Sequence, residues 1–444
     1  MEPVDTLICA RWVLPVEPDG SVLADHAVAL RAGRIIGVMP TPEARATYAP
    51  AELIKRPHHA LLPGLVNAHT HAAMTLLRGR AENRPLVPWL QDAIAPVERR
   101  WVDPEYVRDG TALAIAEMLR AGITCFADMQ LWPEVVARTA ADSHMRVSVG
   151  LVVEQAASRW ASDPNEYIEK GMALRDEYRG DPLVATHFAL EPTPVLDDET
   201  LVRVRRLADE LEIPVALPVH ESAWELSESL ARHGARPIER LARLGLVSPI
   251  LVAVHATQLV ASDLDLLAGS GAAVVHCPES NLKLGGGVCP VAELLGRGVR
   301  VALGTDGAAS NNDLDVLSEM RTAGLLAAGV SARPGVLVAG DLLRMATLEG
   351  ARALGLGEST GSLLPGKWAD LCCVDLRAAR SWPVHDVEAA LVYSCSSSQV
   401  TDTWVAGRRV YADGTLPYLD ENAVLEQADA WRIRIDAGHD GSTD

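Results

Sequence analysis

The stretch TLVRVRRLADELEIPVALPVH, residues 200–220, combines a helix pattern with a strand pattern that follows it directly. Its first part has the apolar spacing of a helix, and its second part is a short, mostly apolar run. The same order of helix and strand returns in four other places, at residues 111–129, 237–255, 261–280 and 290–307. Repeated units of this length indicate a parallel sheet covered by helices.

The number of these units favours a closed (β/α)8 TIM barrel over an open sheet. A doubly wound sheet is the alternative, but no glycine-rich GxGxxG turn opens a helix after the first strand. Both ends of the chain instead show short apolar runs separated by turn residues, which is typical of β structure. We therefore predict a barrel over residues 61–361 and a small composite β-sandwich domain from residues 1–60 and 362–444.

Charge and composition restrict the partners of the chain. A formal net charge of -19 would repel nucleic-acid backbones and anionic membranes. We therefore expect a small-molecule substrate and neither nucleic acid nor a membrane as partner. The first residues lack the basic segment and apolar run of a signal peptide, and the seven cysteines contain no CxxC pair, so we expect a cytoplasmic protein.

Titratable residues end at least five of the apolar strand patterns, and in a barrel those strand ends carry the site. The residues are His69 and His71, His220 and Glu221, His255, His276, and Asp306. A histidine at a strand end can also have a purely structural role. For this reason we assign no function to His276.

The pair His69 and His71 places two imidazoles on one side of an extended segment, because side chains alternate along a strand. With the Asp306 carboxylate, they provide three ligands for one divalent metal per chain, for which Zn²⁺ is favoured, and water takes the fourth position. Asp306 could instead cap a helix that begins near Asn312 or Asp313.

Glu221 closes a buried strand, where a carboxylate is costly unless it is paired or functional. Next to a water bound at a metal, such a carboxylate can transfer protons, and His255 can stabilise the developing charge. The alternative for His255 is a buried imidazole bonded to backbone.

Several segments together resemble the amidohydrolase superfamily, in the branch of aminohydrolases that includes triazine hydrolases and 5′-methylthioadenosine/S-adenosylhomocysteine deaminases. The likeness covers nearly the whole chain and looks closest to the methylthioadenosine deaminases. The segments are PGLVNAHTHAAMTLLRG, VHESAWE, VAVHATQL, HCPESNLKLGGGVCPV, LGTDGAASNNDLD and GSLLPGKWADLCCVDL.

The resemblance implies a role for each of the candidate residues. His69, His71 and Asp306 would bind the metal, and Asp306 would also act as base toward the metal water. Glu221 would protonate the purine ring nitrogen, and His255 would lie beside the attacked carbon. Glu98, in APVERRW, matches the residue that accepts the ribose hydroxyls.

The chain departs from the family pattern in three places. Pro218 occupies the position of a metal-binding histidine three residues before the glutamate, so one expected ligand is missing and the metal would be weakly bound. His220 lies about 6.5 Å further along the strand, too far to replace that ligand. In HFALEPTPVLDDE, Glu191 stands where relatives carry a histidine that contacts the substrate. The segment RVSVGLVV also lacks an arginine for the carboxylate of S-adenosylhomocysteine.

We therefore predict a deaminase that hydrolyses the 6-amino group of an adenosine-like nucleoside, with 5′-methylthioadenosine favoured and S-adenosylhomocysteine or adenosine also open. One alternative is a deaminase of another heterocycle, such as guanine, a pterin or a triazine. Another is a catalytically impaired homologue that serves as a binding or scaffold protein because of Pro218. The resemblance also implies a homo-oligomer, either a dimer or a tetramer.

Overall fold

The computed structural model of the protein describes residues 1–440. Its strands are β1 (Glu2–Val13), β2 (Leu23–Arg31), β3 (Arg34–Pro40), β4 (Tyr48–Pro63), β5 (Leu65–Thr70), β6 (Ile123–Asp128), β7 (Arg146–Val153), β8 (Val184–Leu190), β9 (Val215–Val219), β10 (Leu251–His255), β11 (Ala273–His276), β12 (Arg300–Leu303), β13 (Leu371–Asp375), β14 (Val400–Val405) and β15 (Arg408–Ala412).

Helices follow most of the central strands. They are α1 (Thr41–Thr47), α2 (Leu86–Pro88), α3 (Ala95–Trp101), α4 (Pro104–Arg120), α5 (Pro133–Asp142), α6 (Pro164–Glu177), α7 (Asp198–Leu211), α8 (Ala223–His233), α9 (Pro237–Arg243), α10 (Ala261–Leu267), α11 (Pro278–Lys283), α12 (Val291–Gly296), α13 (Val316–Ser331), α14 (Ala339–Met345), α15 (Leu348–Ala353), α16 (Val387–Ala389) and α17 (Glu421–Asp440). Within residues 1–440, none of these helices combines the length and the apolar character needed to cross a membrane.

The central sheet has eight strands, β5 to β12, and each strand lies beside its neighbours in chain order. Strands β7 to β12 pair in parallel. Every residue of β6, β7 and β9 is buried, as expected for strands covered on both faces. The backbone N–H of Asp306, just after β12, donates to the carbonyl of His69 in β5 at 3.0 Å, which joins the last strand to the first. The prediction of a (β/α)8 barrel is confirmed.

A second sheet is built from both ends of the chain, in the order β15, β14, β13, β4, β1, β2, β3. Strands β1 and β4 pair in parallel, and the other pairs are antiparallel. Its core includes Ile8, Val28, Leu61, Leu371 and Trp404, which come from five different strands. The predicted β domain from the two termini is confirmed as a mixed sheet.

The contacts of the chain divide it into two compact units. The first comprises residues 1–67, 117–125 and 315–418, and the second comprises residues 68–116, 126–314 and the segment from Leu419 onward. The finer domain limits expected from the sequence, 1–60 with 362–444 and 61–361, stay a prediction. All candidate site residues belong to the second unit.

Pro218 lies inside β9, where its register explains how the sheet tolerates it. On one side, β9 pairs with β10 through Pro218 and Val254. On the other side, the pairing with β8 ends at Ala189 and Ala216, before the proline is reached. Because proline has no backbone N–H to donate, a ladder that ends before it loses no hydrogen bond at this position.

Candidate metal centre and active site

Three side chains converge at the carboxyl ends of the first and last barrel strands. His69, His71 and Asp306 offer ligand atoms that all lie within 4.8 Å of one another. The Asp306 Oδ1 atom is 3.7 Å from His69 Nε2 and 3.6 Å from His71 Nε2. Two imidazole nitrogens and a carboxylate oxygen form a donor set that suits Zn²⁺.

The surroundings of the His69 Nε2 atom indicate whether a metal fits this group of side chains. The atom is buried and has no hydrogen-bond partner among residues 1–440. A buried nitrogen without a partner costs about 1–3 kcal/mol, which a bound metal would offset. Burial, then the charge of His71, holds the pKa of His69 well below its ordinary value. The imidazole is therefore neutral, which is the form that binds metals.

Neighbouring groups orient the other two ligands. His71 Nδ1 lies 2.7 Å from the carbonyl of Met129, an arrangement that leaves Nε2 facing Asp306. The hydroxyls of Ser280 and Ser310 donate to Asp306 Oδ2 at 2.6 and 2.7 Å, so Oδ1 remains for a metal. Such outer partners fix the direction of the ligands and raise metal affinity.

Asp306 is a carboxylate in this structure and does not cap a helix. Burial raises the pKa of Asp306, but the charges of His255, His71 and His69 lower it by a larger amount. The net pKa therefore lies below the ordinary value. The helix that was expected near Asn312 or Asp313 begins later, at Val316, and Asp315 caps it by accepting from Leu317 and Ser318. The capping alternative for Asp306 is therefore wrong.

Glu221 and His255 face each other beside the metal ligands. Glu221 Oε1 is 3.6 Å from His255 Nε2, and the His255 ring lies 5.8 Å from the His69 ring. His255 Nδ1 is 2.9 Å from Asn281 Oδ1, so this nitrogen carries the donated proton. The side chain of His255 is thus held by an amide oxygen, and the backbone alternative is wrong.

The pKa values of Glu221 and His255 are both raised, but for different reasons. Burial raises the pKa of Glu221, which favours its protonated form. Burial alone would lower the pKa of His255, but the charges of Glu221 and Asp306 outweigh it and raise that pKa. A carboxyl group with a raised pKa and an imidazole that can stabilise charge, beside a metal group, can perform general acid catalysis on a C–N bond.

The backbone has positive φ at three of these strand ends: 55° at His220, 73° at His255 and 62° at Asp306. Such conformations are uncommon outside glycine and cluster at functional sites. At His220, the side chain turns toward α9, where its Nε2 accepts from the backbone N–H of Ile238 at 3.2 Å. Its pKa is lowered to about 4 by burial, and it supports the site without belonging to the metal group.

Glu98 and Glu191 are the two predicted substrate-binding residues outside the convergent group, and Glu98 lies near enough to His71 for the charge of that imidazole to affect its pKa. Glu98 is in α3, and burial raises its pKa while the charge of His71 lowers it. Glu191 follows β8, and its Oε2 accepts from the backbone N–H of Gln155 at 2.8 Å. Burial raises the pKa of Glu191 as well. The predicted substrate-binding roles of both residues stay predictions.

Sequence patterns missed several residues that shape this site. Ser280 and Asn281 lie in the HCPESNLKL segment, and Ser310 lies in LGTDGAASNND, so both motifs contained the signal. Glu154, directly after β7, carried no such signal. Its Oε2 accepts from the Tyr167 hydroxyl at 2.8 Å, and burial together with the charge of Glu191 raises its pKa to about 7.

Comparison with known proteins agrees with this architecture. A sequence profile described as the amidohydrolase family matches residues 60–410. The chain is 42% identical over 435 residues to a 5-methylthioadenosine/S-adenosylhomocysteine deaminase of Saccharophagus degradans, and the alignment covers 98% of each chain.

Solved structures extend the comparison to three dimensions. A crystal structure of an adenosine deaminase from Xanthomonas campestris with bound zinc is 49% identical, has a TM-score of 0.97, and is matched over 98% of this chain and 99% of that chain. An atrazine chlorohydrolase from Arthrobacter aurescens TC1 complexed with zinc is 22% identical with a TM-score of 0.89, over 96% of this chain and 100% of that chain. At this identity, the second likeness concerns the fold alone.

Proposed function

Because the chain belongs to the amidohydrolase family, we propose that it is a metal-dependent aminohydrolase that releases the 6-amino group of an adenosine-like nucleoside as ammonia. We propose 5′-methylthioadenosine as the favoured substrate, with S-adenosylhomocysteine and adenosine as the others. The names of the similar deaminases support this class of substrate. The observation that carries the proposal is the pair Glu221 and His255 beside the group His69, His71 and Asp306.

His69, His71 and Asp306 would hold one Zn²⁺ per chain. When bound, the ion supplies Lewis acidity that makes water a nucleophile near neutral pH. Asp306 would also accept a proton from the attacking water, through the second lone pair of the Oδ1 atom that would bind the ion, because the two serine hydroxyls occupy Oδ2. His255 Nε2 stabilises the negative charge that develops at the attacked carbon's oxygen.

Glu221 acts as the general acid in this scheme. Its carboxyl proton passes to the ring nitrogen while water adds to the neighbouring carbon. Asp306 then delivers its proton to the amino group, the C–N bond breaks, and ammonia leaves. The remaining hydroxyl proton returns to Glu221, so both carboxyl groups regain their starting states. The raised pKa of Glu221 supports its protonation at the start.

The test combines metal analysis with an ammonia-release assay on 5′-methylthioadenosine, before and after zinc is added. We expect close to one zinc per chain after addition and steady release of ammonia. The variant Glu221→Gln keeps the size of the side chain but cannot donate the proton, so it should retain zinc and lose turnover. A protein that binds zinc but leaves every purine nucleoside intact would contradict the proposal.

A second candidate is an impaired homologue that binds a ligand without turnover. Pro218 favours it, because this β9 residue offers no ligand atom where the family pattern has a metal-binding histidine. Three protein ligands are nevertheless enough for many catalytic zinc sites. The assay separates the two candidates, since only the first releases ammonia.

The partners and location remain predictions. The net charge of -19 supports the exclusion of nucleic acid and anionic membranes. We propose a cytoplasmic homo-oligomer, a dimer or a tetramer, whose mass in solution can be measured by light scattering.

A further inference from the structure

The backbone of Glu221 lies just beyond β9, in a turn that the sheet does not hold. The strand ends at Val219, and His220 has a positive φ of 55°. Glu221 is therefore outside the ladder of hydrogen bonds between strands, and its buried N–H and C=O need partners elsewhere. These partners decide where the Glu221 carboxyl points.

The N–H of Glu221 is held by the side chain of Glu225. Glu225 Oε2 accepts from the Glu221 N–H at 2.8 Å, and Glu225 Oε1 accepts from the Thr193 hydroxyl at 3.0 Å. Glu225 lies in α8 and Thr193 follows β8, and both residues are buried. The Glu225 carboxylate thus connects the backbone of Glu221 to the segment that follows the neighbouring strand.

This bond differs from an ordinary helix cap. Ser222 caps α8, and its side chain accepts from the N–H of Glu225 at 3.3 Å. In a capping box, the glutamate at this position accepts in return from the N–H of the cap residue itself. Glu225 accepts instead from Glu221, one residue earlier. The carboxylate therefore acts on the backbone of Glu221, although burial raises the pKa of Glu225 to about 7 and makes its charge costly.

The C=O of Glu221 is held from the opposite side by Thr257, which lies two residues after β10. The Thr257 hydroxyl oxygen is 2.9 Å from the carbonyl oxygen of Glu221, 2.9 Å from that of Gly286 and 3.1 Å from that of His220. The N–H of Thr257 also donates to the His220 carbonyl at 2.9 Å. At Gly286, an added Cβ would lie 2.9 Å from the Glu221 carbonyl oxygen, so little space is left for this peptide group to move.

We propose that Glu225 and Thr257 are positioning residues, which hold the N–H and the C=O of Glu221 and so direct its carboxyl group toward the ring nitrogen of the substrate. The inference rests on the proposed function, in which Glu221 is the general acid. Its Oε1 atom lies 3.6 Å from His255 Nε2. A displacement of a reacting group by about 1 Å can cost about 100-fold in rate.

The first test uses two substitutions of Thr257. Thr257→Val keeps the shape of the side chain and removes its hydroxyl, whereas Thr257→Ser keeps the hydroxyl. With 5′-methylthioadenosine and zinc, we expect kcat for ammonia release to fall at least about tenfold in Thr257→Val, with KM changed less than about threefold. Thr257→Ser should restore kcat, and both variants should bind zinc like the wild type. The matched control is Thr347→Val, which removes a buried hydroxyl that donates to the Leu343 carbonyl at 2.7 Å.

The second test separates the hydrogen bonds of Glu225 from its charge. In Glu225→Gln, the amide oxygen can accept from the Glu221 N–H and the amide nitrogen can donate to the Thr193 hydroxyl oxygen. This variant should keep kcat within about threefold of the wild type, whereas Glu225→Leu should lose at least about tenfold. Melting temperatures show whether each variant is folded. Equal losses of kcat in the Gln and Leu variants would overturn the role of Glu225.

Crystal structures of the zinc-loaded wild type and Thr257→Val give a result that does not depend on turnover. We expect the Glu221 carboxyl to move by about 1 Å or more from its place beside His255 when the hydroxyl is absent. An unmoved carboxyl, or a kcat that Thr257→Ser fails to restore, would overturn the inference.

The two results also separate the inference from the proposed function. A displaced Glu221 carboxyl in Thr257→Val, together with a wild-type protein that releases no ammonia, would support the positioning role and contradict the proposed function. Ammonia release that stays at the wild-type kcat in Thr257→Val and Glu225→Leu would support the function and overturn the inference.

Discussion

Pro218 provides a test of the metal site at a single residue. It is buried in β9, carries no atom that can bind a metal, and stands where the family resemblance implies an imidazole. In Pro218→His, the new imidazole would raise the number of protein ligands from three to four. We expect zinc affinity to rise by at least about tenfold, because even the loss of outer partners of a metal costs 10–100-fold.

Competition with a chromophoric chelator measures this change in zinc affinity. Pro218→Ala is the matched control, because it removes the proline ring without adding a ligand. If the histidine and alanine variants bind zinc equally, position 218 does not face the metal, and the resemblance misplaces the fourth ligand.

Glu154 provides a second residue-scale prediction, on the pH dependence of stability. Burial and the charge of Glu191 raise its pKa to about 7 in the folded protein, whereas a glutamate in an unfolded chain has a pKa of about 4.3. Between these values the folded state binds more protons than the unfolded state. The contribution of Glu154 to stability is therefore full below about pH 4.3 and declines as the pH rises to about 7.

Glu154→Gln removes this dependence, so the variant should gain stability relative to the wild type as the pH rises through that window. Thermal unfolding at a series of pH values measures the difference. The exposed Glu169 supplies a control, since Glu169→Gln should follow the wild-type curve. Parallel curves for the wild type and Glu154→Gln would show that Glu154 titrates normally.

Sequence patterns identified the site residues that end strands and could not identify those fixed by three-dimensional contacts. His69, His71 and Asp306 were found because they end apolar strand patterns and because His69 and His71 are two residues apart, on one side of an extended segment. The positive φ of His255 could not be predicted from the sequence pattern, because this conformation belongs to the turn at the end of β10. Glu154 was missed because a single glutamate after an apolar run is common, and only the neighbouring Glu191 makes it unusual.

At the scale of elements, Gly304 lies where the last barrel strand meets the first. A Cβ atom at this position would lie 2.9 Å from both the N and the O of His69, and 2.9 Å from Val275 Cγ1. Backbone atoms cannot yield easily, so Gly304→Ala should displace the end of β5. We expect a loss of about 1–3 kcal/mol of stability, as for other overpacked sites, and weaker zinc binding because His69 moves.

Thermal unfolding and zinc titration of Gly304→Ala check both effects. Gly296→Ala is the control, because Gly296 ends α12 with no atom within 4 Å of the added Cβ. Its stability should stay level or rise slightly. A Gly304→Ala protein that melts and binds zinc like the wild type would show that β5 and β12 are not in close contact.

The elements themselves were predicted to different degrees. The alternation of helix and strand patterns predicted the barrel, because each β/α unit is local in sequence. The start of α13 at Val316 was missed, since Asn311, Asn312 and Asp313 are equally good capping residues by type. The parallel pairing of β1 with β4 could not be predicted from the sequence, because the β2 and β3 hairpin lies between these strands in the chain.

At the scale of the whole molecule, the metal group connects the two ends of the barrel's strand order. His69 belongs to β5 and His71 directly follows it, while Asp306 follows β12. A ligand that binds only the folded state stabilises it by about 2.7 kcal/mol at a hundredfold excess over its dissociation constant. Zinc should therefore raise the melting temperature of the whole protein by bridging its first and last barrel strands.

The measurement is the melting temperature with chelator and with increasing zinc. In His69→Ala, the increase caused by zinc should largely disappear, because one of three ligands is lost. His385→Ala is the control, since it removes an exposed histidine outside the metal group. If zinc stabilised His69→Ala as much as the wild type, the ion would bind elsewhere. A stabilisation that is lost in His69→Ala and kept in His385→Ala would show that zinc stabilises the folded state through the group of His69, His71 and Asp306, so a weakly held metal would stabilise the fold less.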